Sequence, residues 1–491
     1  MLKSLLRVKP IEPAAHVDAG EPVEGSSLQG EATLRRTLTA KHLIMLGIGA
    51  VIGAGIFVMT GQAAANHAGP AVMLSFVFAG LACTFAGLCY AEFAAMMPVS
   101  GSAYSYSYAT LGEGVAWFIG WCLVLEYLFA GSSVAVAWSA YLISFITGTL
   151  GLPFPTELTD APLAWTDGAF VASGNILNLP AVLIVAAVSG LCYVGITQSA
   201  FINAIVVAIK IAVICLFVGF GAAYIDPANW HPFIPENTGP GVFGWSGVFR
   251  AAAIVFFAYI GFDAVSTSAG ETKDPQRNMP IGILGSLAVC TIIYIIVCAV
   301  LTGLLPYTQL GTAKPVATAL EAHPQLTWLK TAVEIGAIAG LSSVVLVMLM
   351  AQPRIFYTMA KDGLMPKLFG KVHPKFRTPY VGTVIVGVVA ASLAGMIPLS
   401  VLGELVSMGT LLAFATVCAG VMVLRFTKPD LPRPFRVPLA MLICPLGAVA
   451  CLFLFFQAFQ EHWKVFVGWT VLGLVIYFGY GIRHSRLGSR A

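Results

Sequence analysis

The sequence predicts an all-α membrane protein of twelve transmembrane helices with both ends on the cytoplasmic side. Three observations predict it. Of 491 residues, 58% are hydrophobic and only 10% are charged, whereas a soluble domain carries roughly a quarter charged residues. The apolar residues gather in runs near the ~20 residues that a helix needs to cross a bilayer. The basic residues gather in alternate connections between those runs. A chain with so few charges cannot cover a surface in water, so the bilayer is its natural solvent and the spans share one interior.

The apolar runs fall near 42–65, 71–97, 115–147, 180–199, 201–223, 244–268, 281–305, 331–353, 380–397, 402–424, 438–457 and 464–482. The third is long enough to tilt or to extend past the bilayer. With residues 1–41 on the cytoplasmic side and the faces alternating, 21 of the 26 Lys and Arg fall inside, including Lys273 and Arg277, the set from Arg354 to Arg377, the set from Arg425 to Arg436, and Arg483, Arg486 and Arg490. Only Lys314, Lys330 and Lys464 fall outside. That asymmetry is the positive-inside pattern, and a missed or surplus span would scramble it. The connection from Gly148 to Leu179 carries Glu157, Asp160 and Asp167 but no Lys or Arg, which suits the outer face. The first forty residues are polar and lack the short apolar core of a cleavable leader. The ten cysteines show no CxxC and no metal spacing, so they read as small hydrophobes.

Two runs do not read as continuous helices. The first contains Gly47, Gly49, Gly53 and Gly55 within nine residues, each costing helix roughly 1 kcal/mol relative to alanine. The sixth contains Phe257-Ala258-Tyr259-Ile260-Gly261-Phe262-Asp263, a glycine beside an acid in mid-membrane. These are corresponding places if 42–223 and 244–424 are two five-helix halves of opposite orientation, followed by two further spans at 438–482 and a short tail at 483–491. Interrupted helices in matching positions point to a transport site. A half-helix starting near Ile56 turns free amides and a positive dipole end to the break, which suits a carboxylate. A half-helix ending near Phe257 to Ile260 offers carbonyls, which suit an ammonium. A ligand with both groups is an amino acid. The alternative for the first run is that its glycines only allow close helix packing.

Charged groups in mid-membrane are functional candidates. Lys210 lies about ten residues into the fifth run. Desolvation penalises an ammonium, and a lysine so placed can gain and lose a proton. It is the candidate proton-coupling group, its charge substituting for a bound sodium; the alternative is a lysine that snorkels to the headgroups. Asp263 follows the second break and Glu126 stands in the third run, and two carboxylates near one pocket would suit a cationic side chain. The alternative is that they pair with Lys210, Arg250 or backbone groups. Arg250 reads as an interface or gate residue near the outer end of the sixth run. Glu92 closes the second run before a tyrosine-rich re-entrant connection through Tyr104, Tyr106 and Tyr108. Glu334 and Glu404 near outer ends need no special role.

Four stretches together resemble the amino acid–polyamine–organocation superfamily, and within it the cationic amino acid transporter group: Gly47 to Gly61 (GIGAVIGAGIFVMTG), Tyr90 to Tyr104 (YAEFAAMMPVSGSAY), Phe256 to Ile283 (FFAYIGFDAVSTSAGETKDPQRNMPIGI) and Gln352 to Pro366 (QPRIFYTMAKDGLMP). The resemblance implies the leucine-transporter fold, a five-plus-five inverted repeat with two peripheral helices, working by alternating access. It implies that the ligand carboxylate meets the first break at Val51, Ile52, Gly53, Ala54 and Gly55, that the ligand amine meets carbonyls of Phe257, Ala258 and Ile260, and that Lys210 is the proton-linked group of sodium-independent members. Relatives often carry Thr or Ser where this chain has Ala54. The expected ligands are cationic or small neutral amino acids, with protons as coupling ion, no cofactor, no metal and no nucleic acid; a small membrane subunit stays unassigned. A sodium-coupled symporter or an exchanger on the same fold is the alternative, and an amino acid sensor without turnover is a third. With no HExxH and no GxSxG, an enzyme is not expected.

Overall fold

The computed structural model describes residues 5, 7–10, 38–97, 101–166, 168–195 and 200–487. The expected tail 1–41, Pro98, Asp167, Arg490 and the end of the fourth run therefore lie largely or wholly outside the described residues.

Most of the described residues are helical. In order come α1 (Ala40–Val51), an irregular helical stretch from Gly55, α2 (Val72–Met96), α3 (Ser102–Thr110), α4 (Glu113–Thr149), α5 (Leu179–Val194), α6 (Ala200–Gly221), α7 (Gly244–Val255), α8 (Pro275–Leu304), α9 (Pro315–Glu321), α10 (Thr327–Lys361), α11 (Tyr380–Met396), α12 (Leu399–Thr427) and α13 (Ala440–Ile476). Among the described residues, eight helical stretches are long and apolar enough to cross a membrane, and α1, α5 and α11 are shorter apolar helices. Two of the eight, Gly55–Met96 and Ala440–His484, run 42 and 45 residues, about twice what one crossing needs. The first turns at Gly69 (φ +59°) and Pro70, and the second leaves helical geometry at His462 (φ −114°, ψ 20°).

One expectation of a purely α chain is corrected locally. The connection after α4 holds a short antiparallel hairpin, β1 (Leu163–Thr166) and β2 (Ala169–Ala172), with Leu163 opposite Ala172 and Gly168 at φ +75° in the turn. Each strand has four residues, and Trp165 of β1 packs on the core with its ring 4.9 Å from that of His462. The tyrosine-rich connection after α2 is a buried helix, α3, with Tyr104, Tyr106 and Tyr108 almost without exposure. Helices pack in pairs around the interrupted segments: α1 on α8, α4 on α10, α5 on α11, and α2 against both α8 and α13. Small residues set these approaches. A Cβ at Gly47 would sit 2.4 Å from Ser286 Oγ, so this glycine lets α1 meet α8.

Candidate binding site at the helix breaks

Four glycines in nine residues do not all break the first helix. Gly47 and Gly49 stay inside α1, because their neighbours continue the ladder to Ile52 N, which donates to Ile48 O at 2.9 Å. The break is confined to Ile52 (ψ 99°) and Gly53; Ala54 is already in the right-handed helical region (φ −57°, ψ −24°) and caps the helical stretch that starts at Gly55, one residue before the expected Ile56. The second break opens after α7: Phe256–Tyr259 tighten into a 3₁₀ turn, Ile260 is extended (φ −62°, ψ 134°) and Gly261 takes φ +115°, a conformation a side chain would strain. A second 3₁₀ stretch runs over Asp263–Glu271.

The two breaks touch. A Cβ on Gly55 would lie 2.2 Å from Ala258 Cα, and one on Gly261 would lie 3.0 Å from the Ala50 carbonyl. Tyr294 of α8 binds them together. Its Oη lies 2.9 Å from Val51 O and 2.8 Å from Ala258 O, so one hydroxyl hydrogen is shared between the two interrupted segments. Tyr141 donates to Phe57 O (2.8 Å) and Thr60 to Gly55 O (3.1 Å), fixing the start of the second half-helix. Val51, Ile52, Gly53, Ala54, Gly55, Phe257, Ala258 and Ile260 are all buried.

Lys210 does not snorkel. It is fully buried, and its Nζ donates to Gly49 O at 2.7 Å and Ile52 O at 2.9 Å, the last carbonyls of α1. Those carbonyls carry the negative end of the half-helix, so an ammonium there has a direct electrostatic role. Gly340 of α10 makes room for it, since a Cβ there would sit 2.7 Å from Lys210 Cε.

The two mid-membrane acids come together, and neither bonds to Lys210 or Arg250. Asp263 accepts from Tyr127 Oη (2.6 Å) and from Gly261 N (3.3 Å). Glu126 lies beside Asp263 and Thr410, yet both of its carboxylate oxygens lack a hydrogen-bond partner among the described residues. A wide π-type turn at Leu125–Phe129 brings Glu126 and Tyr127 to the interior.

Sequence reasoning missed Tyr294 and Tyr127; a hydroxyl amid Ile292, Ile293, Ile295 and Ile296 was the available signal for the first. It also set Glu404 and Glu334 aside, and the structure corrects both. Arg250 donates to Glu404 and Glu461, each at 2.6 Å, with His462 Nε2 3.4 Å from Glu404. Glu334 is fully buried and accepts from Ser144 and Thr149. On the opposite face Glu92 is held by Arg425 (2.6 Å), Arg433 (3.3 Å) and the Val437 amide (2.7 Å). Buried acids at the ends of spans need partners, which a one-dimensional reading cannot supply.

A family model of amino acid permeases matches residues 38–479, both breaks included. The chain belongs to the amino acid permease family. It is 47% identical to the branched-chain amino acid permease BcaP of Bacillus subtilis over 94% of this chain and 96% of that one. It is 46% identical to the methylthioribose transporter of the same organism over 95% and 98%, and 39% identical to vacuolar cationic amino acid transporter 2 of Arabidopsis thaliana over 81% and 61%. With this family assignment, the chain is a multi-pass membrane transporter and not an enzyme.

Proposed function

We propose that this permease is a secondary active amino acid transporter that couples uptake to protons by alternating access. Twelve spans in the leucine-transporter arrangement, with both ends in the cytoplasm of a cell bounded by this membrane, frame the reading. The observation that carries it is the contact between the two breaks, one offering amides after Ala54 and the other carbonyls before Gly261. An α-carboxylate and an α-ammonium fit that pair of ends. Because Gly55 and Ala258 meet directly, the ligand lies beside that contact and the breaks part as the site opens.

Lys210 is the coupling group of this reading. Protonated, it holds two end carbonyls of α1 by charge-assisted bonds; deprotonated, it loses the charge and one of its three hydrogens, its grip on those carbonyls weakens, and the first break changes shape. Proton and substrate thereby act on one segment. Glu126 and Asp263 side by side repel when both ionised in a low dielectric, which a shared proton or a cationic ligand side chain relieves. The names of the relatives, which include branched-chain and cationic amino acids, support a neutral or a cationic substrate.

The test is a competition panel in proteoliposomes with an imposed pH gradient and no sodium. Leucine, valine, alanine, arginine and lysine compete for uptake in this reading. Uptake that needs sodium or internal amino acid removes proton symport. Methylthioribose as the sole effective competitor removes the zwitterion site, since that molecule has neither carboxylate nor ammonium.

A further inference from the structure

At the end of the molecule that carries the basic connections, a cavity of about 930 Å³ opens between the start of α8 and the segment leading into α13. Pro280, Ile281, Leu284 and Phe435 form its apolar walls, and Arg277 with Asp274 stands at its mouth. Arg277 is exposed, and so is Arg436, next in sequence to Phe435. Neither guanidinium has a hydrogen-bond or ion-pair partner among the described residues, in contrast to Arg425 and Arg433, which hold Glu92. Lys273, also exposed, adds a third positive charge near the mouth against the single Asp274.

The apolar part of the cavity does not end there. Ile281, Val289, Ile292 and Ile296 are exposed along the outer side of α8. Leu442, Leu446, Val449, Phe453 and Phe456 are exposed along α13. Both helices pack on α2, whose Val77 and Leu81 are exposed as well. The result is a bare apolar track running along the spans, with unpaired arginines where it reaches the membrane surface. Water does not suit the track and hydrocarbon does not suit the arginines. A molecule with an anionic head and a long apolar tail satisfies both.

We propose that this groove holds one anionic phospholipid of the cytoplasmic leaflet, its phosphate between Arg277 and Arg436 and an acyl chain along α8. The leaflet follows from the positive-inside orientation used above; the headgroup chemistry follows from the residues alone. Anionic lipid is drawn to basic side chains at that surface. The bound lipid lies one helix away from the second break, because the 3₁₀ stretch Asp263–Glu271 packs on α8. It is therefore placed to bias the segment that moves.

Native mass spectrometry of the purified full chain, titrated with phosphatidylglycerol or phosphatidylcholine of equal chain length, tests this. We expect one phosphatidylglycerol to be retained in preference to phosphatidylcholine. Arg277→Ala and Arg436→Ala should each weaken that retention about fivefold, with phosphatidylcholine adducts unchanged as the control for folding. Leu284→Trp, which fills the track and leaves the charges, should weaken it as well. Equal retention of the two lipids, arginine variants that hold phosphatidylglycerol like the parent, or displacement of the lipid by millimolar inorganic phosphate each overturns the proposal. The readout involves no transport, so its failure and a failure of the symport reading are separate results.

Discussion

At Gly55 the absence of one carbon decides whether the two interrupted segments meet. Ala258 Cα occupies the space a Cβ would need, 2.2 Å away, and backbone on both sides leaves nothing flexible to yield. Gly55→Ala is expected to destabilise the closed pairing by about 1–3 kcal/mol or more, read as a lower melting temperature of the purified protein and a loss of uptake. Gly219→Ala, on open helix surface with nothing near its Cβ position, should do neither. Lys210 makes a different demand, since its worth lies in a proton. Lys210→Ala should lower pH-gradient-driven accumulation about a hundredfold, the scale of a lost acid–base group, while substrate exchange without a gradient persists. Accumulation that still follows the gradient in that variant would remove Lys210 from coupling. The sequence marked Lys210 because a lysine in mid-membrane is costly. It could not show that the partners are Gly49 O and Ile52 O, 161 and 158 residues away.

Elements that begin or end at the break are tied at their far ends by charge. Arg250 of α7 joins Glu404 of α12 and Glu461 at the bend of α13. His67, at the end of the stretch that starts at Gly55, bonds Gly241 O just before α7 at 2.8 Å. The helical stretch that starts at Gly55 and α7 are therefore tied to each other through His67, and α7 is tied to α12 and α13 through the Arg250 guanidinium. Arg250→Ala leaves Glu404 buried without its cation, a change worth about 3–5 kcal/mol. We expect a matching fall in thermal stability, and recovery of most of it in the double variant Arg250→Met with Glu404→Leu, where no buried charge is left alone and the half-exposed Glu461 carboxylate keeps its water. Failure of the double variant to recover would mean that Glu461 or His462 carries the latch. That Arg250 stood near one end of the sixth run was legible in the sequence; that Glu404 was its partner was not, because the two lie 154 positions apart.

For the whole molecule, polar groups are concentrated at the two ends and the apolar bulk lies between. At the end opposite the arginine-lined groove, Lys314 and Lys330 both reach Glu321 at 2.8 Å. Burial alone would raise the Glu321 carboxyl, but the two lysines outweigh it and hold the group below its ordinary value of 4.5. A carboxyl lowered on folding contributes stability that is present above its unfolded value and lost as pH falls through the folded one. Solvent screening keeps the effect small for so exposed a group. Melting temperature should therefore decline on acidification below about pH 4.5, and Glu321→Gln should flatten that decline; an unchanged acid limb in the variant would locate the acid sensitivity elsewhere. The sequence by itself determined the solvent of this protein, its helical class, the two interrupted segments and the charges that membrane burial makes expensive. These are properties of composition and of local backbone preference, which act over one or two helical turns. Only the tertiary structure decided that Gly47 packs while Gly53 breaks, that Tyr294 bridges the two segments, and that Glu126 lies against Asp263. Each of those depends on which distant span supplies the neighbouring atom, and that is set by packing of the whole bundle.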